Sequence, residues 1–304
     1  MWSRKQKHFL WKLFSLFSVV RGYNILIIIL AQYLTAIYIL APGLPLRQVL
    51  FDVNLFMIVL ASAAAIAGGY IINNFYDREK DLINRPRKTM LDRLVSQRTK
   101  LSTYFILNFL SVVLASYVSF RAVLFFSIYI FVLWFYSHKL KRYPFVGNIT
   151  AAVLAVIPFF AVFIYYRNFA EIIFVHATFL FLLISMRELV KDLENIKGDL
   201  VQNYRTIPVV YGERFSKGML TVLAILTLVP IYFLLAYFDI GYMRYYFLAT
   251  ILALVVFVLM LWFSARKLHY VVLHNILRLG IVIGVFCIAL LDVDVLLSRF
   301  GWMV

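Results

Sequence analysis

The chain has 304 residues, of which 64% are hydrophobic and 18% aromatic, and its mean hydropathy is +0.91. This composition excludes an ordinary soluble domain and indicates an integral membrane protein. The net charge of +16 does not indicate nucleic-acid binding, because the cations are concentrated in alternate connections between apolar segments.

The N-terminal segment is basic and carries a short apolar stretch. We predict that residues 8–20 form an amphipathic helix that lies in the membrane interface. Arg21 interrupts the apolar stretch and no small-residue cleavage site follows it, so a removed signal peptide is not indicated. The alternative is that these residues simply extend the first membrane span.

Nine apolar runs follow, each of a length that suits a membrane-spanning helix, which needs about 17–25 such residues. They lie near residues 24–41, 53–76, 101–119, 122–136, 147–166, 172–187, 219–238, 245–264 and 274–297. The sequence therefore predicts an all-α integral membrane protein with nine transmembrane helices. No linker or low-complexity tract divides it, so we expect residues 1–304 to form a single domain.

Two connections, residues 77–100 and 187–217, are long and carry both signs of charge. The N-terminal arm, these connections and the others of the same parity hold 25 of the 30 Lys and Arg residues. Cations are enriched on the cytoplasmic side of membrane proteins. We therefore expect the N-terminus and both long loops in the cytoplasm and the C-terminus outside, in a protein of the plasma membrane.

Two polar helix faces are predicted where apolar spans run into these loops. The first has Asn73, Asp77, Asp81 and Asn84, which fall within about 80° on a helix of 100° per residue. The second has Glu188, Asp192, Asn195 and Asp199, within about 60° if the helix continues. Acids so close to the hydrocarbon usually face a cavity or a partner, so the two faces indicate a shared polar pocket.

The ligand types in these faces indicate the metal. The single cysteine, Cys287, lies in an apolar run and excludes a cysteine metal site. Carboxylate and amide oxygens suit Mg²⁺, which binds few carboxylates together with substrate phosphates. The predicted metal ligands are Asn73, Asp77, Asp81, Asp192, Asn195 and Asp199.

The cations beside these faces suit a metal-bridged diphosphate, because they neutralise oxygens that the metal does not. The predicted diphosphate-binding residues are Asn73, Arg85, Lys88, Lys139, Lys141, Arg142, Lys191 and Arg205. Lys139, Lys141 or Arg142 would alternatively bind an acceptor phosphate. Other cations, such as Arg87, are expected only to set the topology.

Four motifs in order resemble the motif set of the UbiA-type intramembrane prenyltransferases. They are NNFYDREKDLINRP, YSHKLKRYPFVGN, RELVKDLENIKGD and YRTIPVVYG. The resemblance implies nine helices around a central cavity, a cytoplasmic cap made by the two long loops, and a lateral opening to lipid. It also implies Mg²⁺-dependent transfer of a polyprenyl chain from its diphosphate. Within the family, the third and fourth motifs are most similar to the archaeal-type enzymes that geranylgeranylate geranylgeranylglyceryl phosphate.

The resemblance also implies the roles of individual residues. Asp77, Asp81, Asp192 and Asp199 would be catalytic, since they would hold the metal ions that stabilise the departing diphosphate. The substrate cavity would include Arg21, Asn24, Tyr70, Tyr76, Tyr136 and Asn148. The tyrosine rings are candidates to stabilise an allylic cation.

Three positions depart from the family pattern. Asn195 and Lys197 stand where these enzymes usually carry acids, so that either Asp192 compensates or a second metal binds weakly. Gly22 replaces a usual proline, and we expect it to loosen the start of the first span.

Other functions are also consistent with the residues. An aromatic-acceptor prenyltransferase of quinone biosynthesis would need the same donor site. A cation or lipid transporter is a different class, but its acids are expected at mid-span rather than at the span ends. An inactive scaffold would explain Asn195.

Overall fold

The structure is a computed structural model that describes residues 4–292. Over this range it contains thirteen α-helices and no strand. They are α1 (Arg4–Val19), α2 (Gly22–Thr35), α3 (Leu46–Leu50), α4 (Val53–Tyr76), α5 (Arg78–Asn84), α6 (Pro86–Asp92), α7 (Gln97–Val118), α8 (Phe120–His138), α9 (Val146–Tyr166), α10 (Glu171–Val201), α11 (Ile207–Tyr237), α12 (Met243–Phe263) and α13 (Lys267–Cys287).

Nine of the described helices are long and apolar enough to cross a membrane: α2 with its π-helical continuation Ala36–Leu40, α4, and α7 through α13. The predicted nine-span architecture is confirmed, and the chain is an integral multi-pass membrane protein. Side-chain caps mark several span starts. Asp52 accepts hydrogen bonds from the backbone of Asn54 and Leu55 at the start of α4, at 2.9 and 3.3 Å.

The spans pack in two groups. α4 packs with α2, α8 and α9 around one buried cluster that contains Leu55 and Phe126. The helices α10 to α13 enclose a second cluster that contains Phe247. Val156 of α9 and Ile184 of α10 belong to a small third cluster. The two groups therefore meet where α9 packs against α10.

The two predicted cap loops are mostly helical. Residues 77–100 contain α5, α6 and the start of α7. The prediction of a loop over 187–217 is wrong, because α10 continues to Val201 and only residues 202–206 separate it from α11. The helix persists there because Leu189 and Leu193 bury one of its faces. The last span begins at Lys267, earlier than predicted, and its predicted end and the C-terminus lie outside the described residues.

The predicted N-terminal helix is present as α1, which packs against α6. The Ser15 hydroxyl donates a hydrogen bond of 2.8 Å to the carbonyl of Leu91, and Ser18 donates one of 3.3 Å to Asp92. The side chains of Trp11 and Phe14 on the same helix are more than half exposed. This arrangement is consistent with the predicted location in the membrane interface, which stays a prediction.

Gly22 is a position of close packing, and the expectation that it loosens the helix start stays a prediction. Arg21 adopts a left-handed backbone conformation, with φ of 51°, and turns the chain from α1 into α2. The Phe17 ring then lies directly over Gly22, where any Cβ atom would overlap it. Glycine at this position allows α1 to fold back against the start of α2.

We expect Gly22→Ala to destabilise the protein by about 1 kcal/mol, the lower end of the cost of overpacking, because the half-exposed Phe17 ring must move aside. The measurement is thermal unfolding in detergent. Gly280→Ala is the matched control, because a Cβ atom at Gly280 meets nothing within 4 Å. Adding Phe17→Ala should restore most of the loss, and a full loss in that double variant would contradict the packing explanation.

Candidate active site at the ends of α4 and α10

Asp77 lies at the point where α4 ends and α5 begins. It is 8% exposed, and its backbone conformation, with φ of −89° and ψ of 8°, breaks the helix at this point. The Lys141 ammonium donates a 2.7 Å hydrogen bond to the Asp77 carboxylate and a weaker one, at 3.4 Å, to the Asn73 amide oxygen. The Tyr204 hydroxyl donates to the same Asp77 oxygen at 3.3 Å. Asp77 is thus a buried carboxylate held by residues from two other parts of the chain.

The end of α10 presents a second pair of carboxylates. Asp199 is fully buried, forms an ion pair with Lys80 of α5, and accepts a 3.2 Å hydrogen bond from Thr206. Two turns earlier, Asp192 accepts a 2.8 Å hydrogen bond from the side-chain amide of Asn148. Both carboxylates therefore face the side of α10 from which α5 and α9 approach.

Lys80 connects the two helix ends. Burial alone would lower the pKa of its ammonium, but Asp77, Asp199 and Asp192 raise that pKa well above its ordinary value. The pKa of Asp77 shifts in the opposite direction. Burial would raise this pKa, but Lys141 and Lys80 lower it below the ordinary value. Three carboxylates from α4 and α10 therefore share one positive charge, so the two polar faces form a single site.

Tyr204 places an aromatic ring in this site. Its side chain is buried, and the cations of Lys80, Lys141 and Arg142 lie 5.0, 5.7 and 5.5 Å from its ring centre. A ring face attracts cations through its quadrupole. Three positive groups are therefore gathered over one aromatic ring, next to Asp77.

Asp81 lies at the border of the site. It is partly buried, and burial together with Asp77 raises its pKa above the ordinary value, while Lys88, Arg85 and Arg21 act in the opposite direction. This carboxylate is therefore within electrostatic reach both of Asp77 and of a separate basic region.

An apolar cavity of about 110 Å³ lies deeper in the helix bundle. It is lined by parts of α2, α9, α10, α12 and α13 that are remote from Asp77 and Asp199. Representative lining residues are Thr35, Phe163, Leu180, Met243 and Ile288. The molecule thus combines a charged site at one end of the bundle with an apolar space inside it.

Residues 29–271 match the model of the UbiA prenyltransferase family, and the match includes every carboxylate of the site. The chain belongs to this family. The family resemblance predicted from the motifs is therefore confirmed.

Two relatives within the UbiA family are digeranylgeranylglyceryl phosphate synthases. The one from Methanobrevibacter smithii is 26% identical over 241 residues, which cover 74% of this chain and 80% of that protein. The one from Thermococcus gammatolerans is 34% identical over 162 residues, which cover 53% of this chain and 58% of that protein. The match to the Thermococcus relative thus spans little more than half of its length.

Solved structures of UbiA-type proteins share the fold. A structure described as giving insights into a digeranylgeranylglyceryl phosphate synthase has a TM-score of 0.67 at 19% identity, covering 91% of this chain and 97% of that chain. A UbiA homologue from Archaeoglobus fulgidus, bound to GPP and Mg²⁺, has a TM-score of 0.65 at 17% identity, covering 90% and 99%. The predicted UbiA-type fold is confirmed by these likenesses.

The structure of this UbiA-family protein brings together many of the predicted site residues. The shared site contains Asn73, Asp77, Asp192, Asp199, Lys141, Arg142 and Asn148. Tyr76 borders it, with its ring 5.8 Å from the Lys141 ammonium, and Tyr136 lies within electrostatic reach of Asp77 and Asp192.

Other predicted residues lie elsewhere. Lys139 and Arg205 have exposed side chains, and no hydrogen bond or ion pair of those side chains occurs within the described residues. Asn24 and Arg21 group with Tyr70: the Asn24 amide donates to its hydroxyl at 3.4 Å, and the Arg21 guanidinium lies 5.0 Å from its ring centre. Arg85, Lys88 and Lys191 line a separate cavity.

Sequence reasoning missed Lys80, Tyr204 and Thr206. Lys80 stands between Asp77 and Asp81, so its position inside the first acidic motif was an available signal. Tyr204 and Thr206 flank Arg205 in the fourth motif, of which only the arginine was selected. Arg205 was selected for its charge. The residue that contacts Asp77 is Tyr204, whose side chain is buried.

The donors fit a magnesium ion by their chemistry. Every candidate ligand is a carboxylate or amide oxygen, and three carboxylates already stabilise one cation, the Lys80 ammonium. In the arrangement described, Lys80 and Lys141 pair with Asp199 and Asp77, and no three acids or histidines of residues 4–292 surround a common metal position. Asn195 donates its amide to the carbonyl of Lys191 at 2.7 Å, so its nitrogen is directed along its own helix.

Proposed function

We propose that this UbiA-family protein transfers a polyprenyl group, favoured to be geranylgeranyl, from its diphosphate to a prenylglyceryl phosphate, with Mg²⁺ as cofactor. The names of its relatives support this proposal. The observation that carries it is the joining of the two polar helix ends by Lys80, which pairs with Asp199 and is within electrostatic reach of Asp77, next to the Lys141–Asp77 pair. A separate apolar cavity lies deeper in the same helix bundle. A donor with a charged head and a hydrocarbon tail requires such a combination.

The cations of the site would bind the donor diphosphate. Lys80, Lys141 and Arg142 already lie together over Tyr204, so a diphosphate between them would meet positive charge on several sides. Asn73, Asp77, Asp192 and Asp199 are the residues that would hold Mg²⁺, with Asp81 next to them. When bound, the metal neutralises charge that develops on the diphosphate oxygens. The polyprenyl tail would extend from the site between the apolar spans, towards the part of the bundle where the apolar cavity lies.

The reaction would begin with cleavage of the bond between the allylic carbon and the diphosphate oxygen. The electron pair leaves with the diphosphate, whose added charge is stabilised by Lys80, Lys141 and Arg142. The rings of Tyr76, Tyr136 and Tyr204 lie beside the site and would stabilise the allylic cation through their faces. A hydroxyl oxygen of the acceptor then bonds to the allylic carbon, and the hydroxyl proton passes to the released diphosphate.

The polar ends of α4 and α10 are proposed to face the cytoplasm. Support comes from the cations, of which 25 of 30 belong to the N-terminal arm and the connections of the same parity. The helices α5 and α6, with the end of α10, would then cap the site on the cytoplasmic side. The transporter alternative is disfavoured because the carboxylates of the site are paired at one end of the spans.

The test uses purified protein in detergent with labelled geranylgeranyl diphosphate and Mg²⁺. The acceptors are geranylgeranylglyceryl phosphate, the same lipid without phosphate, and an aromatic hydroxy acid. We expect diphosphate release and an ether product with the phosphorylated lipid, loss of both in EDTA, and recovery with added Mg²⁺. Product with the aromatic acceptor alone would show a prenyltransferase of the other substrate class, and no diphosphate release with any acceptor would overturn the proposal.

A further inference from the structure

A second, basic cavity of about 520 Å³ lies at the same end of the molecule as the carboxylate site. It lies among α1, the start of α2, the α5–α6 turn, α10 and α13. Its cations are Arg21, Arg85, Lys88, Arg187, Lys191 and Arg278. Its one acid is Glu194. None of Asp77, Lys80, Lys141 or Asp199 lines it, so it is distinct from the proposed diphosphate site.

The positive charge of this cavity is only partly balanced. Arg85 and His274 share Glu194, at 3.2 and 3.0 Å. Arg187 and Lys191 share Glu188, which is outside the cavity lining. With Asp92, 3.8 Å from Lys88, three carboxylates form ion pairs with four of the six cations, and a fourth carboxylate, Asp81, is within electrostatic reach of Arg21, Arg85 and Lys88.

Two of the arginines have an aromatic ring in place of an acid. Arg21 and Arg278 form no ion pair within residues 4–292, and their guanidinium groups lie over the rings of Tyr70 and Tyr23, at 5.0 and 4.8 Å. The nearby cations also affect Lys88. Burial and the charge of Arg21 lower the pKa of Lys88, although Asp92 acts to raise it. The cavity therefore has positive charge that an anion would stabilise.

The lining also indicates what kind of anion enters. Guanidinium groups suit the oxygens of phosphate, because their donors form a planar fork. Phe14, Phe17 and Val271 supply an apolar border next to the arginines. Phe14 belongs to the exposed face of α1, which is proposed to lie in the membrane interface. The chemistry is that of a phosphate attached to a hydrocarbon chain.

The cavity also adjoins the proposed reaction site. Asp81 is within electrostatic reach of Arg21, Arg85 and Lys88 on one side and of Asp77 on the other. In a glyceryl phosphate the free hydroxyl is separated from the phosphate by the glycerol carbons alone. A phosphate in the basic cavity would thus leave that hydroxyl on the side of Asp81 and the donor.

We infer that the basic cavity binds the phosphate monoester of the acceptor lipid, with Arg21 and Arg278 as the residues that distinguish a phosphorylated from an unphosphorylated acceptor. This inference rests on the proposed function and assigns its acceptor site. It also reassigns Arg85, Lys88 and Lys191 from the donor diphosphate to the acceptor side. Arg278 had no predicted role, because it stands alone in an apolar span in the sequence.

The experiment compares Arg278→Gln with the unmodified protein in nanodiscs. We expect the KM for geranylgeranylglyceryl phosphate to rise roughly 10- to 100-fold, as for loss of a charge-assisted hydrogen bond. The KM for geranylgeranyl diphosphate should stay within about twofold, and transfer to the unphosphorylated lipid should be unchanged. Arg21→Gln should act in the same direction. The matched control is Arg98→Gln, an exposed arginine outside the cavity lining.

Several outcomes would overturn the inference. A rise in the donor KM instead of the acceptor KM would make the cavity a donor site. Equal losses with the phosphorylated and unphosphorylated acceptors would show a merely structural role. If anionic phospholipid in the nanodisc raises the acceptor KM in proportion to its content, bilayer headgroups occupy the cavity. If the unmodified protein transfers to no phosphorylated acceptor, the proposed function itself fails. If the unmodified protein is active and the variants do not change its acceptor KM, only the inference about the basic cavity fails.

Discussion

An Asp77→Asn variant is expected to release diphosphate about 100- to 1000-fold more slowly than the unmodified protein, the effect typical of removing one group that stabilises developing charge. Asp77 is the carboxylate that accepts hydrogen bonds from Lys141 and Tyr204, and Lys80 lies within its electrostatic reach. Replacing its charge with an amide removes a proposed metal ligand and leaves Lys141 buried without its partner. The measurement is single-turnover release of labelled diphosphate at saturating donor and Mg²⁺.

Loss of stability must be separated from loss of chemistry in this variant. Removing one partner of a buried ion pair costs about 3–5 kcal/mol, because the other charge stays buried. The double variant Asp77→Asn with Lys141→Met removes both charges and should recover thermal stability while remaining inactive. Asp239→Asn is the control, since Asp239 is exposed and remote from the site. A double variant with near-normal release would contradict the role given to Asp77.

A Gly198→Ala variant is expected to lose most activity although Gly198 contacts no proposed substrate. A Cβ atom at this position would overlap the side-chain amide of Asn84. This amide links the end of α5 to α10 by a hydrogen bond. That amide donates a 3.4 Å hydrogen bond to the carbonyl of Asn195, and the Asn84 carbonyl accepts one of 3.0 Å from Lys267. Displacement of α5 would move Lys80 away from Asp199. We expect at least a tenfold fall in diphosphate release, because small displacements in an active site are costly.

The control for this prediction is Gly218→Ala, because a Cβ atom there meets nothing within 4 Å. That variant should be active, and its stability should be equal or higher by about 0.5–1 kcal/mol, since alanine is the better helix former. The double variant Gly198→Ala with Asn84→Ala removes the overlapping group. Its activity should equal that of Asn84→Ala alone, and a further loss would show that Gly198 acts in another way.

The lysine pairs explain how these carboxylates can be buried. Lys141 and Lys80 supply the charge that Asp77 and Asp199 would otherwise lack, and an unpaired buried carboxylate is strongly disfavoured. Under the proposed function, the same lysines then become the groups that contact the diphosphate. Binding of the donor and metal would then exchange partners: the lysines would turn from the carboxylates to the diphosphate oxygens, and the carboxylates would be free to hold the metal.

The sequence alone was sufficient for the spans and for the two acidic faces. A run of about 20 apolar residues has few stable locations other than the membrane, so α4 or α12 is recognisable without knowing its neighbours. Asp77 and Asp199 were found for a similar reason: the helix period places residues three, four or seven positions apart on one face. The acids of the second motif were placed correctly because α10 continues to Val201.

The partners of these residues were decided by tertiary structure. That Lys141 pairs with Asp77 and Lys80 with Asp199, while Lys139 and Arg205 stay exposed, follows from how α5, α8 and α10 pack, and neighbouring cations look alike in sequence. The basic cavity is a stronger case, because Arg21 and Arg278 come from opposite ends of the chain. Local periodicity determines which face a side chain occupies, but only packing between distant helices determines which charge it meets there.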